Sequence, residues 1–94
     1  MNIDKLFSII KGRKDTPEDG SYVSSLFSKG IDRIAQKVGE EATEVVIAAK
    51  NNEKDKIIEE MADLWFHSLV LIAQKGITPD DIFGELEKRH NDKK

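Results

Sequence analysis

Lys37-Val38-Gly39-Glu40-Glu41-Ala42-Thr43-Glu44 and, further along the chain, Glu60-Met61-Ala62-Asp63 are the two stretches that decide the fold prediction. Each stretch places two carboxylates three residues apart in a segment rich in helix-forming residues, so each pair shares one helix face. Two such helices side by side would gather Glu41, Glu44, Glu60 and Asp63 in one acidic cluster. The sequence therefore predicts two adjacent helices that carry a common site.

Glu41 is the most informative of these carboxylates, because it interrupts an apolar row. The row has the three- and four-residue spacing of a buried helix face and consists of Ile34, Val38, Glu41, Val45 and Ala48. A buried glutamate loses hydration unless a cation meets it, and all-oxygen ligands select Mg²⁺, Mn²⁺ or Ca²⁺ over zinc or copper. We expect more than one metal ion if a phosphorylated substrate is to enter so negative a site. The alternative is an ordinary solvated helix face.

Cationic side chains precede the first carboxylate pair. Lys37 lies one turn before Glu41, and Arg33 lies one turn before Lys37, so both are candidates to contact a phosphate group. Both are also typical of exposed helix ion pairs worth about 0.3 to 0.5 kcal/mol. For Lys37, which lies beside the predicted cluster, we favour the functional role, whereas for Arg33 the ordinary ion pair is the stronger interpretation.

Three further residues near the cluster leave alternatives open. Glu40 points about 100° away from Glu41 and could accept a proton from an attacking water or be solvated. Gly39 lies in the middle of a helix, which indicates close packing against another helix or room for a ligand. His67 follows Asp63 by one turn, and we predict a hydrogen-bonded histidine rather than a metal ligand.

Length and composition suit one domain over residues 1–94. The net charge of −3, with both signs well mixed, argues against a nucleic-acid partner held by a general basic field. The absence of cysteine excludes disulfides, thiolate zinc sites and cysteine nucleophiles. No apolar run approaches the roughly 20 residues of a membrane span, so we expect no membrane association and a cytoplasmic location.

The chain is predicted to be all-α, a bundle of about four to five helices. Capping residues, glycines and polar turns place the helices from Asn2 to about Arg13, from Ser21 to Lys29, from Ile31 to Lys50, from Lys54 or Asp55 to Gly76, and from Thr78-Pro79 until a charged tail frays from Arg89. The segment from Leu64 to Ala73 is apolar nearly all round, which is more than a chain of this length can bury. We therefore predict that a homodimer completes the bundle and that this segment forms the subunit interface.

The pattern as a whole resembles the phosphoribosyl-ATP pyrophosphohydrolase family, within the MazG-like all-α nucleoside triphosphate pyrophosphohydrolases. The resemblance extends from about Leu6 to His90 and rests on Ser21-Tyr22, Gly30-Ile31, Lys37-Val38-Gly39-Glu40-Glu41, Glu44-Val45-Val46, Ala62-Asp63-Leu64, His67, Leu69-Val70-Leu71 and Glu85-Leu86. The broader superfamily shares only the Glu-x-x-Glu and Glu-x-x-Asp spacing. Where the family often has Leu-Tyr before the histidine, this chain has Trp65-Phe66, so that position supplies no tyrosine hydroxyl.

The resemblance implies a Mg²⁺-dependent enzyme that hydrolyses phosphoribosyl-ATP between its α and β phosphates, giving phosphoribosyl-AMP and pyrophosphate in the second step of L-histidine biosynthesis. It implies Glu41, Glu44, Glu60 and Asp63 as metal ligands, Glu40 as an assisting catalytic residue and Lys37 near the phosphates. A separate phosphoribosyl-AMP cyclohydrolase would take the product, because the cysteine-dependent zinc site of that enzyme is absent from this sequence.

Two other functions fit part of the pattern. A general (d)NTP pyrophosphohydrolase of the same superfamily would keep the metal site and the reaction but act on free nucleotides. A non-catalytic helical dimerisation module would have the same apolar faces, with carboxylates that are merely solvated.

Overall fold

The computed structural model describes residues 1–92, which fold into five α-helices without a β-strand in that range. In chain order these are α1 (Ile3–Asp15), α2 (Tyr22–Lys29), α3 (Ile31–Lys50), α4 (Lys54–Gln74) and α5 (Pro79–Asp92). The all-α prediction is therefore confirmed. The prediction that the chain frays from Arg89 is wrong for the described residues, because α5 continues to Asp92. The last two residues of the predicted 1–94 domain lie outside the described range.

The helix ends follow the punctuation of the sequence. The Asn2 side chain accepts a hydrogen bond from the Lys5 backbone N–H at 2.8 Å, and the Ser21 side chain accepts one from Ser24. Gly30, between α2 and α3, has a φ of 93°, a conformation that favours glycine. Thr78 caps α5. These local signals fix the helix boundaries because each satisfies backbone groups that the helix itself leaves unpaired.

The α3 and α4 helices form a helical hairpin, joined by the short turn at residues 51–53, and make the largest interface of the described chain. Both stretches that carry the carboxylate pairs therefore lie on one pair of neighbouring helices. Two of those carboxylates, Glu41 and Glu60, are each only 9% exposed. The interrupted apolar row correctly predicted the burial of Glu41.

The hydrophobic core draws on four helices, and its buried members are Ile10, Leu26, Ile34, Leu69, Val70 and Ala73. These residues join α1 and α2 to the first half of α3 and the second half of α4. The face of α4 that points to this core is buried by α1, α2 and α3 of the same chain. The prediction that the whole segment from Leu64 to Ala73 needs a partner subunit is therefore too broad, because Leu69, Val70 and Ala73 are already buried.

An open apolar groove remains between α1, α4 and α5. It encloses about 310 Å³ and is lined by Ile3, Leu6, Trp65, Ser68, Leu69, Ile72, Pro79, Ile82, Phe83 and Leu86. Trp65, Phe83 and Leu86 are each more than half exposed. The α5 helix contributes most of this unpaired surface, because it packs on the rest of the chain mainly through α1. No helix among residues 1–92 is both long and apolar enough to span a membrane.

Candidate metal centre

Three carboxylates meet across the α3–α4 interface. Glu41 of α3 and Glu60 and Asp63 of α4 each offer one carboxylate oxygen, and these oxygens lie within 4.8 Å of one another. At about 4 Å and an effective dielectric constant of 20, two such charges repel by about 4 kcal/mol. The arrangement is therefore held together by the helix packing rather than by attraction among its members.

Lysines from the same two helices offset part of this repulsion. The Lys37 ammonium lies 3.3 Å from a Glu41 oxygen, and the Lys56 ammonium lies 3.5 Å from a Glu60 oxygen. Each lysine precedes its glutamate by four residues, the spacing at which helical side chains meet. Asp63 makes no ion pair within residues 1–92. With two ammonium groups for three carboxylates, the cluster keeps a net negative charge.

Glu44 is the one predicted metal ligand that this structure does not bring into the group of three. It lies one turn beyond Glu41 on α3, but its side chain is exposed, and its carboxylate is not among the oxygens within 4.8 Å. The shared helix face allows a rotation of the Glu44 side chain toward the group. Its role as a ligand stays a prediction.

Lys37 joins the buried group to the outer face of α3. Its ammonium also lies 3.5 Å from a Glu40 oxygen, so it bridges Glu40 and Glu41. Burial of the ammonium opposes its charged form, but hydrogen bonds and charges from Glu41, with contributions from Tyr22 and Glu40, outweigh burial and raise the pKa of Lys37 above its ordinary value. Lys37 is therefore a firmly charged cation at the rim of the cluster.

Glu40 and Arg33 lie on the exposed side of this bridge. One Glu40 oxygen accepts a hydrogen bond from the Gln36 side chain at 3.2 Å, and the Arg33 guanidinium lies 3.9 Å from the same oxygen. Because Glu40 faces Gln36, Arg33 and Lys37, it stands beside the three-carboxylate group rather than in it. The pairing of Arg33 matches the ordinary exposed ion pair favoured from the sequence.

Open space surrounds Gly39 next to this bridge. A Cβ atom built on Gly39 would meet no heavy atom within 4 Å, so no other helix of the described chain packs closely against it. The close-packing interpretation is wrong within a single chain. Room for a ligand beside Glu40 stays a prediction.

His67 is almost fully buried, and both of its ring nitrogens have partners. Nε2 lies 2.8 Å from the Tyr22 hydroxyl, and Nδ1 lies 2.8 Å from the backbone carbonyl of Asp63. The prediction of a hydrogen-bonded histidine is confirmed. Its partner Tyr22 is 51% exposed. The sequence reasoning missed Lys56, although its four-residue spacing to Glu60 was a usable signal.

The donor set fits a hard divalent cation. All three candidate ligands are carboxylate oxygens, which Mg²⁺ and Mn²⁺ prefer, and they come from two rigid helices. Their spread of up to 4.8 Å lies within reach of small side-chain rotations around one ion. Glu41 and Glu60 reach this cluster from buried positions and each has a lysine partner, but Asp63 has no ion pair within residues 1–92. A divalent cation would offset the charge that remains.

Fold and site together define an all-α protein with a group of three carboxylates, a candidate metal centre, between two hairpin helices. The profile of the family described as phosphoribosyl-ATP pyrophosphohydrolase matches residues 3–90. The chain is 55% identical over 87 residues to a phosphoribosyl-ATP pyrophosphatase of Clostridium botulinum, covering 93% of this chain and 79% of that protein. It is 54% identical over 87 residues to the protein of the same name from Methylococcus capsulatus, covering 93% and 83%. The chain belongs to the phosphoribosyl-ATP pyrophosphohydrolase family.

Some relatives are longer proteins. The chain is 57% identical over 88 residues to the histidine biosynthesis bifunctional protein HisIE of Caldanaerobacter subterraneus subsp. tengcongensis. That match covers 94% of this chain but 43% of the bifunctional protein. Some relatives are therefore named for this one activity, and this chain covers most of their length. In the bifunctional relative, the matching region is less than half of the protein.

Proposed function

We propose that this chain hydrolyses phosphoribosyl-ATP between its α and β phosphates, releasing pyrophosphate and phosphoribosyl-AMP, in the second step of L-histidine biosynthesis, and that it requires Mg²⁺. Membership of the family and the names of its relatives support the substrate and the pathway. The observation that carries the metal requirement is the group formed by Glu41, Glu60 and Asp63. The cytoplasmic location expected from the sequence is part of the same proposal.

Glu41, Glu60 and Asp63 are the proposed ligands, and Glu44 joins them after rotation of its side chain. More than one ion is expected, because a triphosphate adds further negative charge beside a group that already has an excess of carboxylates. When bound, Mg²⁺ supplies charge neutralisation for the triphosphate and lowers the pKa of a coordinated water. No residue is required to form a covalent intermediate.

The cations at the rim have a separate task. Lys37 is held charged between Glu40 and Glu41, within reach of both carboxylates, and we assign it to a phosphate group of the substrate. Arg33 is a second, more exposed candidate on the same face. A phosphate near Lys37 would stand beside Glu40, which we assign as the group that accepts a proton from the attacking water.

A homodimer is the proposed assembly, formed through the apolar groove between α1, α4 and α5. The argument is the unpaired apolar surface: Ile82, Phe83 and Leu86 expose about half of their area on a helix with few contacts to the rest of the chain. A second copy would cover this surface without adding a new partner. The product would pass to phosphoribosyl-AMP cyclohydrolase.

The proposal is tested by measuring pyrophosphate release from phosphoribosyl-ATP with Mg²⁺ and with a chelator, using ATP and dUTP as control substrates. Release that requires Mg²⁺ and is confined to phosphoribosyl-ATP is the expected result. Equal release from ATP or dUTP would instead support a general (d)NTP pyrophosphohydrolase. No release from any of the three would support the non-catalytic dimerisation module.

A further inference from the structure

A chain of hydrogen bonds connects α2 to the backbone of a proposed metal ligand. The Tyr22 hydroxyl lies 2.8 Å from Nε2 of His67, and Nδ1 of His67 lies 2.8 Å from the carbonyl oxygen of Asp63. A carbonyl oxygen can only accept, so Nδ1 carries a proton and donates it. In the neutral ring Nε2 then accepts, and the Tyr22 hydroxyl is the donor.

The surroundings of His67 hold this chain of bonds in one orientation. The imidazole is 5% exposed, and it meets the ring of Phe66 edge-on, with centroids 5.1 Å apart and an interplanar angle of 85°. The Tyr22 ring meets it in the same manner at 5.8 Å and 81°. With both nitrogens paired and two rings against it, the imidazole cannot rotate without losing several contacts at once.

The Tyr22 hydroxyl points into the protein although Tyr22 itself is half exposed. Half of the Tyr22 side chain is exposed, so water is available to it, yet the hydroxyl points inward to a buried histidine. Tyr22 of α2 therefore contacts α4, the helix that carries Glu60 and Asp63.

We propose that Tyr22 and His67 are a positioning pair for the carboxylate group, which ties α2 to the turn of α4 that carries Asp63. The pair fixes the backbone at Asp63, and through it the distance of the Asp63 carboxylate from Glu41 and Glu60. This inference rests on the proposed function, because it assumes that the carboxylates bind Mg²⁺. It assigns a role to two residues outside the group of three carboxylates.

The test compares two variants that each lose one hydrogen bond to α4. Tyr22→Phe removes only the hydroxyl and keeps the ring. Lys14→Met is the matched control, because it removes the 2.9 Å hydrogen bond from the Lys14 ammonium to the carbonyl of Ala73, at the far end of α4. We expect both variants to lower the melting temperature by a similar amount, about 4 to 8 °C.

Mg²⁺ binding then separates positioning from plain stability. Isothermal titration with Mg²⁺ alone, well below both melting temperatures, should show a dissociation constant about 10-fold higher in Tyr22→Phe and unchanged in Lys14→Met. Unchanged binding in Tyr22→Phe, or an equal change in both variants, would overturn the inference while leaving the proposed function standing. No Mg²⁺ binding by the unaltered chain would overturn the metal requirement and the inference together.

A double-mutant cycle adds a second check. If Tyr22 and His67 act as one unit, Tyr22→Phe combined with His67→Gln should weaken Mg²⁺ binding no more than His67→Gln alone. If the two substitutions raise the Mg²⁺ dissociation constant by factors that multiply in the double variant, the residues act independently. That result would overturn the inference that they act as a pair.

Discussion

The two halves of α4 differ in the surface that they leave without a partner: the first half has excess negative charge, and the second half has exposed apolar area. The first half places Glu60 and Asp63 against α3, where three carboxylates are balanced by only two lysine ammonium groups. The second half covers the core on one side and leaves Trp65 exposed beside the apolar groove on the other. Excess charge at one end indicates an ionic partner, and excess apolar area at the other indicates a protein partner. One helix thus serves both the site and the proposed assembly.

The largest effect is expected at the charged half. Asp63→Asn removes one of the three clustered carboxylates and should lower pyrophosphate release at least about 100-fold, because a ligand matters at least as much as the groups that orient ligands. Circular dichroism should show unchanged helix content. Glu59→Gln is the control, because Glu59 is an exposed neighbour on the same helix that pairs with Lys56. Activity of Asp63→Asn equal to that of Glu59→Gln would remove Asp63 from the site.

A substitution of Glu44, on the neighbouring helix α3, tests whether a fourth carboxylate belongs to the group. Glu44→Gln should lower activity by at least about 10-fold if its exposed side chain rotates in to join the other ligands. Pyrophosphate release at saturating Mg²⁺ is the measurement. Full activity would leave the site with the three carboxylates that the structure brings together.

The apolar half is tested by placing a charge in the groove. Phe83→Asp should raise the dissociation constant of the dimer at least about 100-fold, because an unpaired charge would be buried in the interface. Sedimentation velocity at micromolar concentration measures it. Asn91→Asp adds the same charge elsewhere on α5 and should leave the dimer intact. A stable monomer of the unaltered chain would contradict the assembly.

A smaller effect is expected beside the carboxylate group, at Gly39. Gly39→Ala should stabilise the fold by about 1 kcal/mol, because alanine favours a helix interior and a Cβ atom meets nothing there. If the open space receives the substrate, pyrophosphate release should nevertheless fall. Gly84→Ala in α5 is the control, with the same open surroundings and the same expected gain in stability. Unchanged activity in both variants would show that the space is not used.

Local signals explain how far the sequence could predict the fold. The α3 helix lies where Gly30 and the turn at residues 51–53 placed it, because capping and glycine conformations depend on neighbouring residues only. Burial of Glu41 was predictable for a similar reason, since its helical row is apolar. These features need no knowledge of distant parts of the chain.

Features that depend on distant contacts were missed. The Tyr22–His67 hydrogen bond joins residues 45 positions apart, and no periodic pattern indicates it. The exposure of Tyr22 and the burial of only one side of α4 depend on where α1 and α5 pack, which helical periodicity does not specify. Whether Glu44 joins the carboxylate group likewise depends on a side-chain rotation.

The most direct test of the central claim is the melting temperature of the unaltered chain and of Glu41→Gln, each with and without millimolar Mg²⁺. At ten times its dissociation constant, a ligand stabilises the folded state by about 1.4 kcal/mol, which corresponds to about 5 to 10 °C for a domain of this size. We predict this rise in the unaltered chain and its loss in Glu41→Gln. No rise in the unaltered chain, or an equal rise in both proteins, would contradict a Mg²⁺ site built on Glu41.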